Sequence, residues 1–171
     1  MKTISAPVLT SPHELDFISH SAAQTLRIGQ RLGEQLHPGA VLLLLGDLGA
    51  GKTQLARGIA QGLGSPDMVT SPSFVLINEY RTSKRGVRIY HVDLYRLDEA
   101  AEVQSIGLEE LWSGRDICLI EWARRAEAYL PREYLAVELR YLDETKRRMR
   151  FTPRGTQYEQ LVESFKTTTF G

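Results

Sequence analysis

Val41-Leu42-Leu43-Leu44-Leu45-Gly46-Asp47-Leu48-Gly49-Ala50-Gly51-Lys52-Thr53 is the stretch on which the fold turns. Five consecutive aliphatic residues bounded by glycines predict a strand buried on both faces, as in a parallel sheet. Gly46 to Thr53 then match the pattern G-x-x-x-x-G-K-[ST], with a third glycine at Gly49. Glycines let the backbone curl so that its N–H groups point inward and make an anion nest. A helix opening at the end of the loop aims its free N–H groups and positive dipole end at the same point. Lys52 adds a point charge for the β/γ-phosphates of a nucleoside triphosphate, and the Thr53 hydroxyl suits Mg²⁺. The reading is a phosphate-binding loop for ATP with Mg²⁺. No Asn-Lys-x-Asp segment of the kind that reads guanine accompanies it.

Working outward, apolar residues Ala22, Leu26, Gly29, Leu32 and Leu36 recur at three and four, which predicts an amphipathic helix over about 19–36, stopped by His37-Pro38-Gly39. Residues 4–9 read as a short edge strand. The helix after the loop runs to about Leu63, where Gly64-Ser65-Pro66 ends it. Ser73 to Tyr80 and Val87 to Leu94 read as a hairpin around Thr82 to Gly86. Asp98 to Ser105 and Leu108 to Ser113 read as short helices, Ile117 to Glu121 as a second buried strand, and Trp122 to Tyr129 as helical. Tyr134 to Tyr141 and Lys146 to Thr152 alternate as a second hairpin, and Thr156 to Phe165 reads as a helix. Parallel-type strands mixed with hairpins predict a three-layer α/β fold of the P-loop NTPase kind, its parallel sheet carrying antiparallel hairpin additions. We expect one domain over residues 1–171, with a core of about 20–152 and a helical tail of about 156–171.

Composition is that of an ordinary globular protein, 42% apolar and 25% charged. Lys plus Arg equals Asp plus Glu at 21 each, which excludes a global attraction to nucleic acid or anionic membranes. A single cysteine, Cys118, excludes an internal disulfide framework and reads as a packed core thiol. No signal-like start and no apolar run near the roughly 20 residues of a membrane span are present, so the expected compartment is the cytoplasm.

A phosphate loop needs acidic partners at the ends of neighbouring strands to hold Mg²⁺ and orient water. Glu121 ends Ile117-Cys118-Leu119-Ile120, and Asp93 ends Val87-Arg88-Ile89-Tyr90-His91-Val92. Alternation puts His91 and Asp93 on one face of that strand and Tyr90, Val92 and Leu94 on the other. His91 reads equally well as a structural histidine. The turn-rich Thr70-Ser71-Pro72-Ser73-Phe74 stands where a segment sensing the γ-phosphate is expected. The remaining histidines show no metal-ligand spacing, so no zinc site is expected.

Gly46 to Thr53, Ser71-Pro72-Ser73-Phe74, His91-Val92-Asp93-Leu94-Tyr95-Arg96-Leu97 and Leu119-Ile120-Glu121-Trp122, in that order, resemble the motif set of the bacterial TsaE (YjeE) proteins over about residues 20–152. The resemblance implies an Mg-dependent ATPase, slow alone, required for N6-threonylcarbamoyladenosine in tRNA. It implies TsaD and TsaB as partners, tRNA met only through that complex, and ATP hydrolysis that resets the complex between turnovers. By that likeness Lys52, Asp93 and Glu121 are catalytic. Gly46, Asp47, Leu48, Gly49, Ala50, Gly51, Lys52, Thr53 and Gln54 bind nucleotide with Trp122 beside them, and Thr53 and Glu121 hold the metal. The strand before the phosphate-loop helix and the turn at Asp143 to Lys146 are walls for adenine by analogy alone. Two departures stand out: Ser73 where many relatives carry Thr, and Ala123 where many carry Pro.

Two other readings stay open from the residues. A small-molecule kinase would use Arg124-Arg125 in a lid, and a regulatory module would bind nucleotide with negligible turnover. Lys146-Arg147-Arg148 and Arg150, with Arg140 opposite, form a basic cluster; it reads either as a solvated strand face or as a dock for tRNA or an acidic patch on TsaD.

Overall fold

The computed structural model describes residues 12–73, 76–97, 100–105 and 107–171, with backbone alone at residues 100, 101 and 103. In chain order the elements are β1 (Leu15–Ser19), α1 (Ala22–Gln35), β2 (Val41–Leu45), α2 (Lys52–Gly62), β3 (Ile77–Arg81), β4 (Arg88–Asp93), α3 (Ala100–Ser105), α4 (Leu108–Trp112), β5 (Ile117–Glu121), a 3-10 helix (Ala123–Tyr129), β6 (Tyr134–Tyr141), β7 (Arg147–Arg154) and α5 (Thr156–Phe170). Among the described residues, seven strands form one sheet in the order β1-β7-β6-β2-β5-β4-β3. β2 lies parallel to β5 and β6, and β4 is parallel to β5. The pairs β3–β4, β6–β7 and β1–β7 are antiparallel. The mixed sheet with hairpin additions is therefore as expected.

Strand β2 is apolar throughout because both of its faces are covered. Leu42 and Leu44 join α1, α2 and α5 in the larger core with Ile28, Leu32, Leu55, Ile59 and Phe165. Val41 and Leu43 join Cys118, Ile120, Leu108, Ala123 and Ala126 on the other side. Burial pushes the Cys118 thiol up to about 12, and its Sγ–H donates to Leu111 O at 3.3 Å, as befits a packed core thiol. The hydroxyl of Tyr158, on α5, accepts the Val41 N–H at 2.8 Å and ties that helix to the start of β2.

Helices α1 and α2 touch along glycine. A Cβ placed on Gly33 would lie 2.3 Å from Ile59 O, and one on Gly58 would lie 2.2 Å from Leu26 O. The expected stripe of α1 holds at Gly29, Leu32 and Leu36, and the seam widens it toward Thr25 and Gly33. Its buried stripe is Thr25, Ile28, Gly29, Leu32 and Gly33, while Ala22 is exposed. The Ser21 hydroxyl caps the helix by accepting the Gln24 N–H at 3.1 Å.

The edge strand expected over residues 4–9 lies outside the described residues. Strand β1 was not legible by periodicity because Asp16 interrupts its apolar residues. Asp16 is buried there since Arg148 and Arg150 of β7 both bond its carboxylate, at 2.7 and 3.1 Å. Strand β3 starts later than expected, at Ile77, behind Leu76 in the left-handed region (φ 68°). The helix after β5 is 3-10 and kinked at Ala126. Helix α5 continues to Phe170, whose ring packs on Phe17 at 5.0 Å.

The Arg148 hydrogen bond, ahead of that from Arg150, holds the Asp16 carboxyl below its ordinary range. A depressed carboxyl contributes stability that is complete above its unfolded value, about pH 4, and fades as pH falls through the folded value. Asp16→Asn is expected to cost about 1–2 kcal/mol at pH 7, since both guanidinium groups keep some solvent. In denaturant titrations the gap between wild type and variant should close on acidification. A gap independent of pH would remove the charge from this account.

Candidate functional site

The loop between β2 and α2 curls by three positive-φ glycines, Gly46 (140°), Gly49 (77°) and Gly51 (105°). At Gly46 space demands glycine as well as angle, because a Cβ would meet Leu139 O of β6 at 2.4 Å. Strand β2 thus delivers the loop against β6, and α2 opens at Lys52 with Gly51 as its cap. The resulting cleft, about 330 Å³, is lined by the loop from Asp47 to Gln54 together with Arg57, Ser71, Ser73, Asp93 and Glu121. All of these but Arg57 were expected at the site, and the structure brings them together. Gly46 and Trp122 stand just behind the lining, each in contact with Lys52.

Lys52 is only 5% exposed. Its Nζ donates to Gly46 O and to Asp47 O (3.3 Å), and it stands 4.5 Å from the centre of the Trp122 ring. Burial pulls its pKa down, opposed by the carboxylates of Glu121, Asp93 and Asp47. Trp122 holds its place in the left-handed region (φ 59°) and packs on Tyr95 at 4.8 Å.

The two strand-end carboxylates sit side by side because β4 and β5 run parallel with Asp93 opposite Glu121. Both are 3% exposed. The Ser73 hydroxyl donates to Asp93 Oδ2 at 3.1 Å, and the Tyr95 N–H donates to Oδ1 at 2.8 Å. Ser71 Oγ lies 2.6 Å from Ser73 Oγ, so the serine segment is chained to Asp93. His91 does not line the cleft. It is fully buried behind Glu121, joined to its Oε1 by a 2.8 Å hydrogen bond in which Nε2 must donate, since a carboxylate only accepts.

Sequence reading missed Arg57, one turn beyond Thr53 on α2; the spacing of four that puts both on one helix face was the available signal. Arg57 donates to Gln54 Oε1 at 2.9 Å and to Val69 O at 3.3 Å. A second cavity of about 50 Å³ adjoins the loop, with Thr25, Gln54, Thr145 and Arg147 among its walls. It stands at the turn where likeness alone had suggested an adenine wall.

The donor set of the cleft fits Mg²⁺. Thr53, Asp93 and Glu121 offer hard oxygens, and no group of three or more His, Cys, Asp or Glu that could hold a metal occurs among the described residues. Mg²⁺ is commonly held in this way, by one or two carboxylates plus the phosphates of its substrate. Three carboxylates stand against two cationic side chains along this lining, so an anionic ligand there would bind more favourably together with a divalent cation.

The basic cluster is mostly paired within the molecule. Arg148 and Arg150 hold Asp16, Arg140 bonds Glu138 at 3.1 Å, and Lys146 bonds Asp143 at 3.3 Å. That favours the solvated strand face. No helix among the described residues is long and apolar enough to cross a membrane.

A family model described as "Threonylcarbamoyl adenosine biosynthesis protein TsaE" matches residues 19–149. A protein from Nostoc called tRNA threonylcarbamoyladenosine biosynthesis protein TsaE is 44% identical over 142 residues, 81% of this chain and 85% of that protein. One of the same name from Bacillus subtilis is 42% identical over 126 residues, 74% and 77% of the two chains. The solved structure described as "Crystal structure of Bacillus subtilus YdiB" matches with a TM-score of 0.78 and 32% identity, covering 98% of this chain and 99% of that one.

Proposed function

This chain belongs to the TsaE family, and from that premise we propose that it is the ATP-binding and ATP-hydrolysing component of the machinery that makes N6-threonylcarbamoyladenosine in tRNA. The observation that carries the reading is one cleft in which a glycine loop, Lys52 and two register-matched carboxylates converge. The loop amides and Lys52 bind the phosphates. Thr53 and Glu121 hold Mg²⁺, which when bound screens the phosphates and polarises the γ-phosphoryl group. Asp93, steadied by Ser73 and the Tyr95 amide, accepts a hydrogen bond from the attacking water and orients it. His91 keeps Glu121 in place by gripping one of its oxygens.

The partners are TsaD and TsaB, with tRNA met through their complex and hydrolysis resetting it. Bound adenine would extend from the phosphates past Gln54 toward the smaller cavity. The kinase reading loses support at Arg125, which donates to Leu97 O at 3.0 Å and lies over the Tyr95 ring at 5.8 Å rather than in a lid.

The test is ATP hydrolysis by the chain alone and with purified TsaB and TsaD, for wild type and Glu121→Ala. Stimulation by the partners, reduced by about a hundredfold or more in the variant, is the expected result. Tight ATP binding with flat hydrolysis in every mixture would replace the reading with a nucleotide-dependent binding module.

A further inference from the structure

Arg147 has a different environment from the rest of the basic cluster. It is the first residue of β7, and its guanidinium crosses to the outer side of the phosphate loop. Nε donates to Ala50 O at 3.0 Å and an Nη to Gly49 O at 3.4 Å. The other Nη donates to Asp143 O and Lys146 O at 2.7 and 2.9 Å, and the guanidinium lies 4.6 Å over the Tyr141 ring. All four of these acceptors are backbone carbonyls, two in the loop and two in the β6–β7 turn.

That turn is itself held. Asp143 Oδ1 accepts the N–H groups of Thr145 (2.9 Å) and Lys146 (2.7 Å) and the Thr145 hydroxyl (3.1 Å). These bonds, the Thr145 amide first, bring the Asp143 carboxyl down to about 2, so the anchor stays charged at any neutral pH. A peptide carbonyl drawn outward turns the N–H of the same peptide unit inward. Arg147 pulls two successive carbonyls, those of Gly49 and Ala50. The Ala50 carbonyl shares its peptide unit with the Gly51 N–H, while the Gly49 carbonyl shares its unit with the Ala50 N–H, which donates to Asp47 O at 3.1 Å and closes the loop's own turn.

We propose that Arg147 is a positioning residue for the phosphate loop: from the β6–β7 turn it holds the Gly49 and Ala50 carbonyls outward, which keeps the loop curled and leaves the Gly51 amide facing a bound triphosphate. The inference rests on the reading of the cleft as a triphosphate site. A planar fork spanning several carbonyls is specific to arginine, and a lysine ammonium at the same position supplies the charge without the span.

The experiment compares Arg147→Gln, Arg147→Lys and, as a charge-matched control on the same hairpin, Arg140→Gln. Calorimetric titration of the full chain with ATP and with inorganic tripolyphosphate, both with Mg²⁺, gives the affinities. Hydrogen exchange of the peptide spanning residues 46–53, without ligand, reports on the loop. Both Arg147 variants are expected to raise Kd for both ligands by on the order of tenfold and to speed exchange in the loop, while Arg140→Gln stays within about twofold of wild type. Unchanged affinities overturn the proposal. So does full rescue by lysine, which would assign the effect to charge alone, and so does a loss confined to ATP, which would place Arg147 at the base. Should Arg147→Gln not fold, Arg147→Lys decides by the same readouts. If wild type binds neither ligand, the nucleotide reading itself falls, a result distinct from the loss of Arg147's role.

Discussion

Lys52→Ala lowers ATP hydrolysis by at least about a hundredfold and leaves the melting temperature within about 3 °C of wild type. The two halves of this expectation have separate causes. Lys52 is the buried cation at the loop, facing the carboxylates of Glu121, Asp93 and Asp47. Without it, negative charge developing on the γ-phosphoryl group loses its nearest side-chain counter-charge in a partly desolvated cleft, where such a charge counts for most. Stability should change little because burial, the dominant influence on Lys52, disfavours its charged form in the folded chain. Alanine relieves that cost while giving up the bonds to the Gly46 and Asp47 carbonyls. Lys52→Arg should not restore activity, since the larger planar group must fit between those carbonyls and the Trp122 ring. Phosphate release in steady state and a thermal melt of the same samples check both halves. Hydrolysis retained in Lys52→Ala would reduce Gly46 to Thr53 to a glycine-rich turn.

Gly58→Val is the second large effect, and it falls on stability. A Cβ at that position would sit 2.2 Å from Leu26 O and 2.9 Å from Gly29 Cα, backbone atoms that no side-chain rotation can move. The helices must separate, and overpacking of this kind costs about 3 kcal/mol, a fall of roughly 6–12 °C in melting temperature for a chain of this size. Gly58→Ala is the sharper diagnostic. Helix propensity alone favours alanine by about 1 kcal/mol, so a destabilised Gly58→Ala reverses the usual sign and reports the close contact directly. A stabilised one would mean that the seam has room.

Most of the architecture was legible because its signals are local. The run Val41 to Leu45 and the loop after it announce themselves within thirteen residues, and the alternation in Tyr134 to Tyr141 marks a half-buried strand without further help. Glu121 was legible for the same reason, as a charge at the end of four apolar residues. What escaped depends on residues far apart in the chain. Asp16 looks like a break in a strand until Arg148 and Arg150 are brought to it from more than a hundred residues away. Arg147 looked like one more charge on a solvated face, since nothing near it in sequence tells of Gly49 and Ala50. The buried stripe of α1 was legible at Gly29, Leu32 and Leu36, but not at Thr25 and Gly33, because that edge is set by the close approach of α2 and a hydropathy pattern scores Thr and Gly as nearly silent.

The glycine seam also divides the molecule mechanically. Helix α2 carries the end of the cradle from Lys52 on, and it is keyed into α1 at backbone distance, over the larger of the two cores. That half is the stator. It cannot rock on its neighbour without opening contacts along its whole length. The far wall of the cleft is built differently: Asp93 is held by the Ser73 hydroxyl and the Tyr95 amide, and the 3-10 helix after Glu121 is kinked at Ala126. On the proposed reading, a stroke driven by loss of the γ-phosphate would leave the cradle still and act through the wall beyond Asp93 and Trp122, so a partner sensing hydrolysis would be expected on that side.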